Sequence, residues 1–462
     1  MSEREHGSWA QRLQAGRDAR YWATNTRLML RDAQTYRGRE LQAKLRDFAY
    51  WCEESVIAPE VIDADSFAEF VEHFSRVAGN YGAVEGTDVA RTIDKVIDLQ
   101  QRRDQPTTRL WLAKARYRSM ISLEDQERKQ ALDAAMSSAV TGTELWAEAV
   151  LAYTWYLNDV SWYGRALRLV ARLQRELPDD LFARKYRCGF HTMSGVALFT
   201  SFRDLRQAQL HMLEVCTYEE AGRTDQQILR WVATAHHYLG RIAEVDKRYR
   251  EALAHYVHGQ GIQEQCPEEL QALAFLHIRL SEPLIALGAF DQAEDHLDLA
   301  LQHFADSAER SSGRLQAQLG FATLSAARGD LDDAMQAVES TREQARQIGF
   351  WRGELLCLGY RMPLLIRARQ YRRIPTTVVD IIRTMRGGEL GRNNAARLLM
   401  KVPVVLGVAV RRMAHRAERE PAASEAGRCP CPLHSETSAD VPAVAPSSLY
   451  QSDQDPICSR PG

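Results

Sequence analysis

Lysine is almost missing from this chain: seven residues, against 52 arginines, in a length of 462. The bias is that of a high-GC genome and makes a bacterial source the expectation, although arginine also suits planar recognition of phosphate or carboxylate. Cysteines are few and scattered, at 52, 188, 216, 266, 357, 429, 431 and 458, with no repeated spacing. That excludes a disulfide framework and points to a reducing compartment, the cytoplasm. No window holds about 18 consecutive apolar residues, so no membrane-spanning helix is expected. The charged start, MSEREHGSWAQRLQAGRDAR, lacks the apolar stretch of a secretory leader. No glycine is followed by lysine, which removes the phosphate loop of an NTPase, and no GxSxG, HExxH or dinucleotide fingerprint occurs. No catalytic residue, cofactor or metal is therefore expected, although a site scattered over several helices would leave no such signature. A net charge of −2 exerts no global pull on nucleic acid.

What is present is helical patterning. Apolar residues make up 45% and charged residues 26%, ordinary globular values. Almost every long segment repeats its apolar residues at three- and four-residue spacing, and none alternates with period two, so the chain is predicted to be all-α. Breaks at Ala58-Pro59, at 79–86 (GNYGAVEG) and at Gln105-Pro106 divide residues 1–105 into three or four helices. From Pro421 to Gly462 there are seven prolines and seven serines with few large apolar groups. Such a stretch cannot offset its ordering entropy by burial and is predicted to be a disordered tail.

The middle repeats. Leu239-Gly240 is followed by Tyr249, Ala252, Tyr256 and Gly259; Leu280-Ser281 by Gly288, Phe290, Ala293, Leu297 and Ala300-Leu301; a third copy runs through Gly329, Leu331, Ala334, Val338 and Thr341. The three alanines are each 41 residues apart. Looser copies surround them at Ala131, at Trp162-Tyr163 with Ala166, at Leu205 with Ala208, and at Tyr371 with Ile374. Self-similarity at this period marks an array of helical hairpins. The order Leu-Gly, Gly-x-aromatic, Ala, aromatic, Ala-Leu resembles the tetratricopeptide repeat. The small residues stand where a larger one would force two helices apart. The period near 40 departs from the family's 34, and the closing proline is missing. The longer unit resembles the arrays of bacterial regulators and peptide-pheromone receptors. The resemblance covers residues 106–385 and implies a right-handed α-solenoid, followed by a basic and apolar capping helix at 386–420.

The resemblance also implies an inner face lined by the first helix of each hairpin. Its inward positions carry over to Thr234, His237, Arg241 and Glu244, then Phe275, Ile278, Glu282 and Ile285. Flanking copies offer Glu148, Leu151, Trp155 and Asn158, then Phe190, Met193, Ala197 and Thr200, and later Gln316 and Leu324. The candidate groove centres on His237, Arg241, Glu244, Phe275, Ile278 and Glu282, one half polar and one half apolar. It suits an amphipathic helix or apolar peptide, or a helix of the same chain.

Histidines 236, 237, 255, 258 and 277 lie close in sequence. His236 and His277 share one repeat position, where the family packs a bulky ring. His255 and His258 could share a helix face, but no Glu or Cys stands in register with them, so metal is not expected there. Cys429-Pro-Cys431-Pro-Leu-His434 lacks the usual two-residue spacer and a fold around it, and Cys458 misses the prenylation position by one. The run 398–410 is apolar and is followed by Arg411, Arg412, Arg416 and Arg419. It reads as a cap whose arginines face the helix C-terminal dipole, or as a surface for anionic lipid, nucleic acid or an acidic partner. Peripheral membrane contact would fall at 398–419. In residues 60–105 a helix-turn-helix would have only the sparse basic face of Arg91, Lys95, Arg102 and Arg103, so nucleic acid is an improbable partner. The reading the sequence favours is a scaffold or adaptor that binds a protein or peptide segment. Its alternatives are a peptide-sensing regulator and an enzyme whose site the sequence does not reveal.

Overall fold

The computed structural model describes residues 87–387 apart from 122–125, 161, 202, 267–269, 306–311 and 348–349, together with 64, 65, 67–69, 71, 72 and 75. The expected tail, the capping segment at 386–420 beyond Gly387, and most of the N-terminal region lie outside the described residues. Those described are helical, with turns between helices and no strand. After α1 (Thr87–Arg102) come seven pairs: α2 (Thr108–Ile121) with α3 (Gln126–Ser138), α4 (Glu144–Asp159) with α5 (Tyr163–Glu176), and α6 (Arg187–Thr200) with α7 (Leu205–Cys216). Then follow α8 (Gln226–Val245) with α9 (Tyr249–Gln263), α10 (Leu270–Leu287) with α11 (Phe290–Ala305), α12 (Ser312–Arg328) with α13 (Leu331–Gln347), and α14 (Trp351–Arg367) with α15 (Ile374–Gly387). The two helices of each hairpin pack against one another. Each second helix also packs on the first helix of the next pair, and successive first helices touch one another. This is an α-solenoid of tetratricopeptide-like hairpins.

Why the pairs close is written in their small residues. The fourth residue of each second helix from α5 onward is Ala166, Ala208, Ala252, Ala293, Ala334 and Thr377. Ala131 of α3 is the matching alanine two places further into its helix, and none of the seven is more than 1% exposed. Thr377 fills the place in the last hairpin, its hydroxyl donating to the Arg373 carbonyl at 2.9 Å, so the position tolerates a small side chain that satisfies itself. On the facing first helix, a Cβ added to Gly240 would stand 2.4 Å from the Tyr256 ring, and one on Gly195 would stand 2.6 Å from the Met212 methyl. Tyr256 and Met212 lie four residues after Ala252 and Ala208, so one rule builds both contacts: a gap on the first helix receives a large side chain from the second.

The turn inside the hairpin also repeats. Lys247 (φ 64°), Gly288 (φ 82°), Gly329 (φ 110°) and Arg369 (φ 56°) hold the left-handed conformation at the end of the first helix. The next residue in each donates its amide to a carbonyl five positions back: Arg248 to Ala243 at 2.8 Å, Ala289 to Leu284 at 2.9 Å, Asp330 to Ser325 at 3.0 Å and Gln370 to Leu365 at 2.8 Å. These are helix stops of the Schellman type, for which glycine is the unstrained choice. At the other ends, Thr143, Asp204 and Asp225 cap α4, α7 and α8 through their side-chain oxygens. The last hairpin is tied on by Arg342 of α13, whose guanidinium reaches Glu354 of α14 and Asp380 of α15, each at 3.0 Å, with its own side chain 8% exposed.

Two substitutions separate these devices. Gly240→Ala should lower stability by about 1–3 kcal/mol through overpacking against Tyr256. Lys247→Gly should raise it by about 0.5–1 kcal/mol, because an L-residue is strained in the left-handed region. Urea unfolding of both proteins checks the opposite signs.

Candidate functional site

Because successive first helices touch, they form one continuous wall. On α6, Phe199 takes the edge of the Tyr238 ring, with centroids 5.3 Å apart. The Arg241 guanidinium of α8 lies over both rings, 4.8 Å from Phe199 and 5.8 Å from Tyr238. On α10, Arg279 donates to Glu282 at 2.6 Å and reaches across to Gln316 of α12 at 3.1 Å. His237 lies near both arginines. Burial holds its pKa well below the usual range, and the charges of Arg279 and Arg241 add to the effect, so the imidazole is neutral. Burial opposes the charge of Arg279, but Glu282 and its other neighbours raise its pKa overall. The wall therefore carries fixed positive charge at Arg241 and Arg279, with Glu282 and Glu244 nearby.

His237, Tyr238 and Arg279 combine two properties. Each is surrounded by protein closely enough for desolvation to lead its electrostatics, yet each keeps a solvent-accessible surface. Trp155 of α4 is 38% exposed, and three residues along that helix Asn158 is buried with neither amide atom hydrogen-bonded within the chain.

The structure corrects the expected groove at Ile278 and Glu244. Ile278 is 2% exposed and packs with Ala274, Ala300, Phe304 and Ala317, inside the contact of α10, α11 and α12. Phe275 packs against that cluster, its ring edge-on to Phe304 at 5.6 Å, and keeps accessible surface. Glu244 and Ile285 are buried, at 7% and 4%, and Leu151, Met193, Ala197 and Leu324 are core as well. Thr234 turns its hydroxyl back to the Arg230 carbonyl at 2.9 Å. His237, Arg241 and Glu282 keep accessible surface. Arg279, which the repeat positions do not single out, is central to the wall. A signal for it exists in the sequence: Arg279 and Glu282 are the two full charges of the otherwise apolar α10, three residues apart. Arg411, Arg412 and Arg416 lie outside the described residues.

A second pattern emerges inside the hairpins. His191 of α6 meets His211 of α7, His236 of α8 meets His255 of α9, and His277 of α10 meets His296 of α11. The Nδ1–Nδ1 separations are 2.9, 3.2 and 3.0 Å, so in each pair one ring donates and the other accepts. His211, His255 and His296 each follow the position-four alanine by three residues: the pairing is a repeat feature. Such a bond requires that the accepting ring be neutral. Burial, then the charge of His211, pulls His191 down to about 4; burial, then His296 and His303, pulls His277 down to about 3.

No protein-family model matches the chain, and no curated protein is recognisably similar in sequence. Among solved structures the chain is similar to a Rap protein complexed with competence and sporulation factor. The TM-score is 0.47 and the identity 12%, over 76% of this chain and 96% of that one. No described helix is long and apolar enough to cross a membrane. The functional reading rests on the chain's own residues.

The paired histidines predict a pH dependence. The folded pKa values of His191, His211, His236, His255 and His277 lie below the ordinary imidazole value, desolvation being the first cause in each. That ordinary value is about 6.5, so the unfolded chain takes up protons first as pH falls. Stability contributed by these pairs is full above about pH 6.5 and is lost as pH falls toward 4. Urea midpoints should drop between pH 7.5 and 5, and His277→Leu/His296→Leu should flatten that slope relative to the unsubstituted chain.

Proposed function

We propose that the wall formed by α6, α8, α10 and α12 is a docking groove for a protein or peptide segment, and that the chain is a scaffold or adaptor of the long-period tetratricopeptide-like kind. The observation that carries this reading is the row of partly buried, solvent-accessible side chains Tyr238, His237 and Arg279, with Arg241 stacked beside them. A charge confined between helices is weakly screened, so it reads a partner's carboxylates and peptide dipoles more strongly than a surface charge does. Stacking on Phe199 and Tyr238 fixes Arg241, and Glu282 with Gln316 fixes Arg279, so little side-chain entropy remains to be lost on binding. With Ile278 in the core and Phe275 partly buried beside it, the partner is a segment recognised by polar contacts with aromatic support.

The test uses the full chain as bait in a native bacterial lysate, with captured proteins identified and their affinities then measured in purified form. Arg241→Ala and Glu282→Ala should each weaken the identified contact at least tenfold, about 1.4 kcal/mol or more. Ile278→Ala should instead cost about 2–5 kcal/mol of folding stability. Unchanged affinity in both groove variants, with intact folds, would remove the groove assignment.

A further inference from the structure

No Glu or Cys stands in sequence register with His255 and His258, but the fold supplies both. Glu219, in the turn between α7 and α8, His236 of α8 and His258 of α9 each bring a ligand atom within 4.8 Å of the other two. His258 Nε2 stands 2.9 Å from a Glu219 carboxylate oxygen, and the His236 and His258 rings are 4.3 Å apart between centroids. Cys216, the last residue of α7, places its Sγ 3.6 Å from His236 Nε2. Its thiol is near enough to Glu219 for that charge, after burial, to raise its pKa.

We propose that Glu219, His236 and His258, with Cys216 as fourth donor, form a zinc site that clamps the hairpin of α6 and α7 to that of α8 and α9. Two imidazoles, a carboxylate and a thiolate are the donors that a borderline-soft, four-coordinate ion takes. The His236–Cys216 distance suits it: zinc bonds of about 2.0–2.1 Å to nitrogen and about 2.3 Å to sulfur, at tetrahedral angles, put those two atoms roughly 3.6 Å apart, and the Cys216 side chain closes on the other two ligands as the ion binds. Between His258 and Glu219 the ion replaces the direct hydrogen bond, and the pair opens by a few tenths of an ångström. Both are half-exposed and free to do so.

The surroundings also fit. If Nε2 of His236 faces the ion, its Nδ1 carries the proton and donates to His255 Nδ1, 3.2 Å away. That outer hydrogen bond fixes the tautomer and ring orientation of a ligating histidine. Of the three histidine pairs, this one meets a convergent carboxylate, with a thiol beside His236; among the described residues it is where three such donors gather. The ligands come from two hairpins and the turn between them, so binding adds to the folded state alone and fixes how the hairpins meet. It also anchors α8 at His236, one residue from His237 on the groove wall.

The test uses the full chain, stripped with chelator and titrated with zinc chloride alone, by calorimetry and thermal unfolding. One equivalent should bind and raise the melting temperature. E219Q and H258A, whose side chains are half-exposed, should keep wild-type circular dichroism while affinity falls at least tenfold and the thermal shift disappears. Cobalt(II) loading should give tetrahedral visible bands with a thiolate charge-transfer band that C216S removes. An equivalent bound undiminished by E219Q and H258A would place the ion elsewhere, for instance at Cys429, Cys431 and His434, and overturn the site. So would the absence of stoichiometric binding, or a cobalt spectrum without the thiolate band.

Discussion

Everything in this array depends on how closely two helices of a hairpin can approach. That approach is set by small side chains at two facing positions, repeated in each copy. Ala252 with Gly240, and Ala293 with Ser281, let Tyr256 and Leu297 enter the gap and become fully buried. The distance fixed there is carried to the next hairpin, because each second helix packs on the following first helix. In a stack with nearest-neighbour contacts only, stability is the sum of such interfaces, and a fault in one is felt mainly by its neighbours.

Much of this was legible in the sequence, because small residues recurring every 41 positions inside amphipathic helices are what stacked hairpins require. Thr377 was not legible as the last copy: a β-branched hydroxyl does not look like alanine until its bond to the Arg373 carbonyl is seen. One position of the candidate groove, Ile278, was misread for a rotational reason. Positions carried over from a shorter repeat point inward at His237, but the equivalent residue 41 places on is Ile278, and the equivalent of Tyr238 is Arg279. An apolar side chain at the edge of the wall turns into the core, and its charged neighbour takes the inner face. One residue is about 100° of helix, enough to exchange the two. The histidine pairs and the Glu219 cluster join residues 19 to 39 apart on separate helices, which no spacing within one helix can show.

The two polar systems have different settings and different uses. The wall keeps its charges at Arg241, Arg279 and Glu282, each held by a neighbour and each in reach of solvent, which suits recognition. The imidazole pairs lie within the hairpins and satisfy one another where an unpaired ring would cost about 1–3 kcal/mol. They meet on α8, where His236 faces its own hairpin and His237 faces the wall. A change in one setting is therefore one residue from the other.

The central claim is this division of the first helices into a solvent-reached wall and a closed hairpin interior. Diethyl pyrocarbonate, which modifies neutral imidazole, tests it on the native full chain when the modified sites are mapped by peptide mass spectrometry. His237 should be modified in the folded protein, while His277 and His296 should react only on unfolding. Modification of His277 or His296 as fast as His237, under native conditions, would contradict that division.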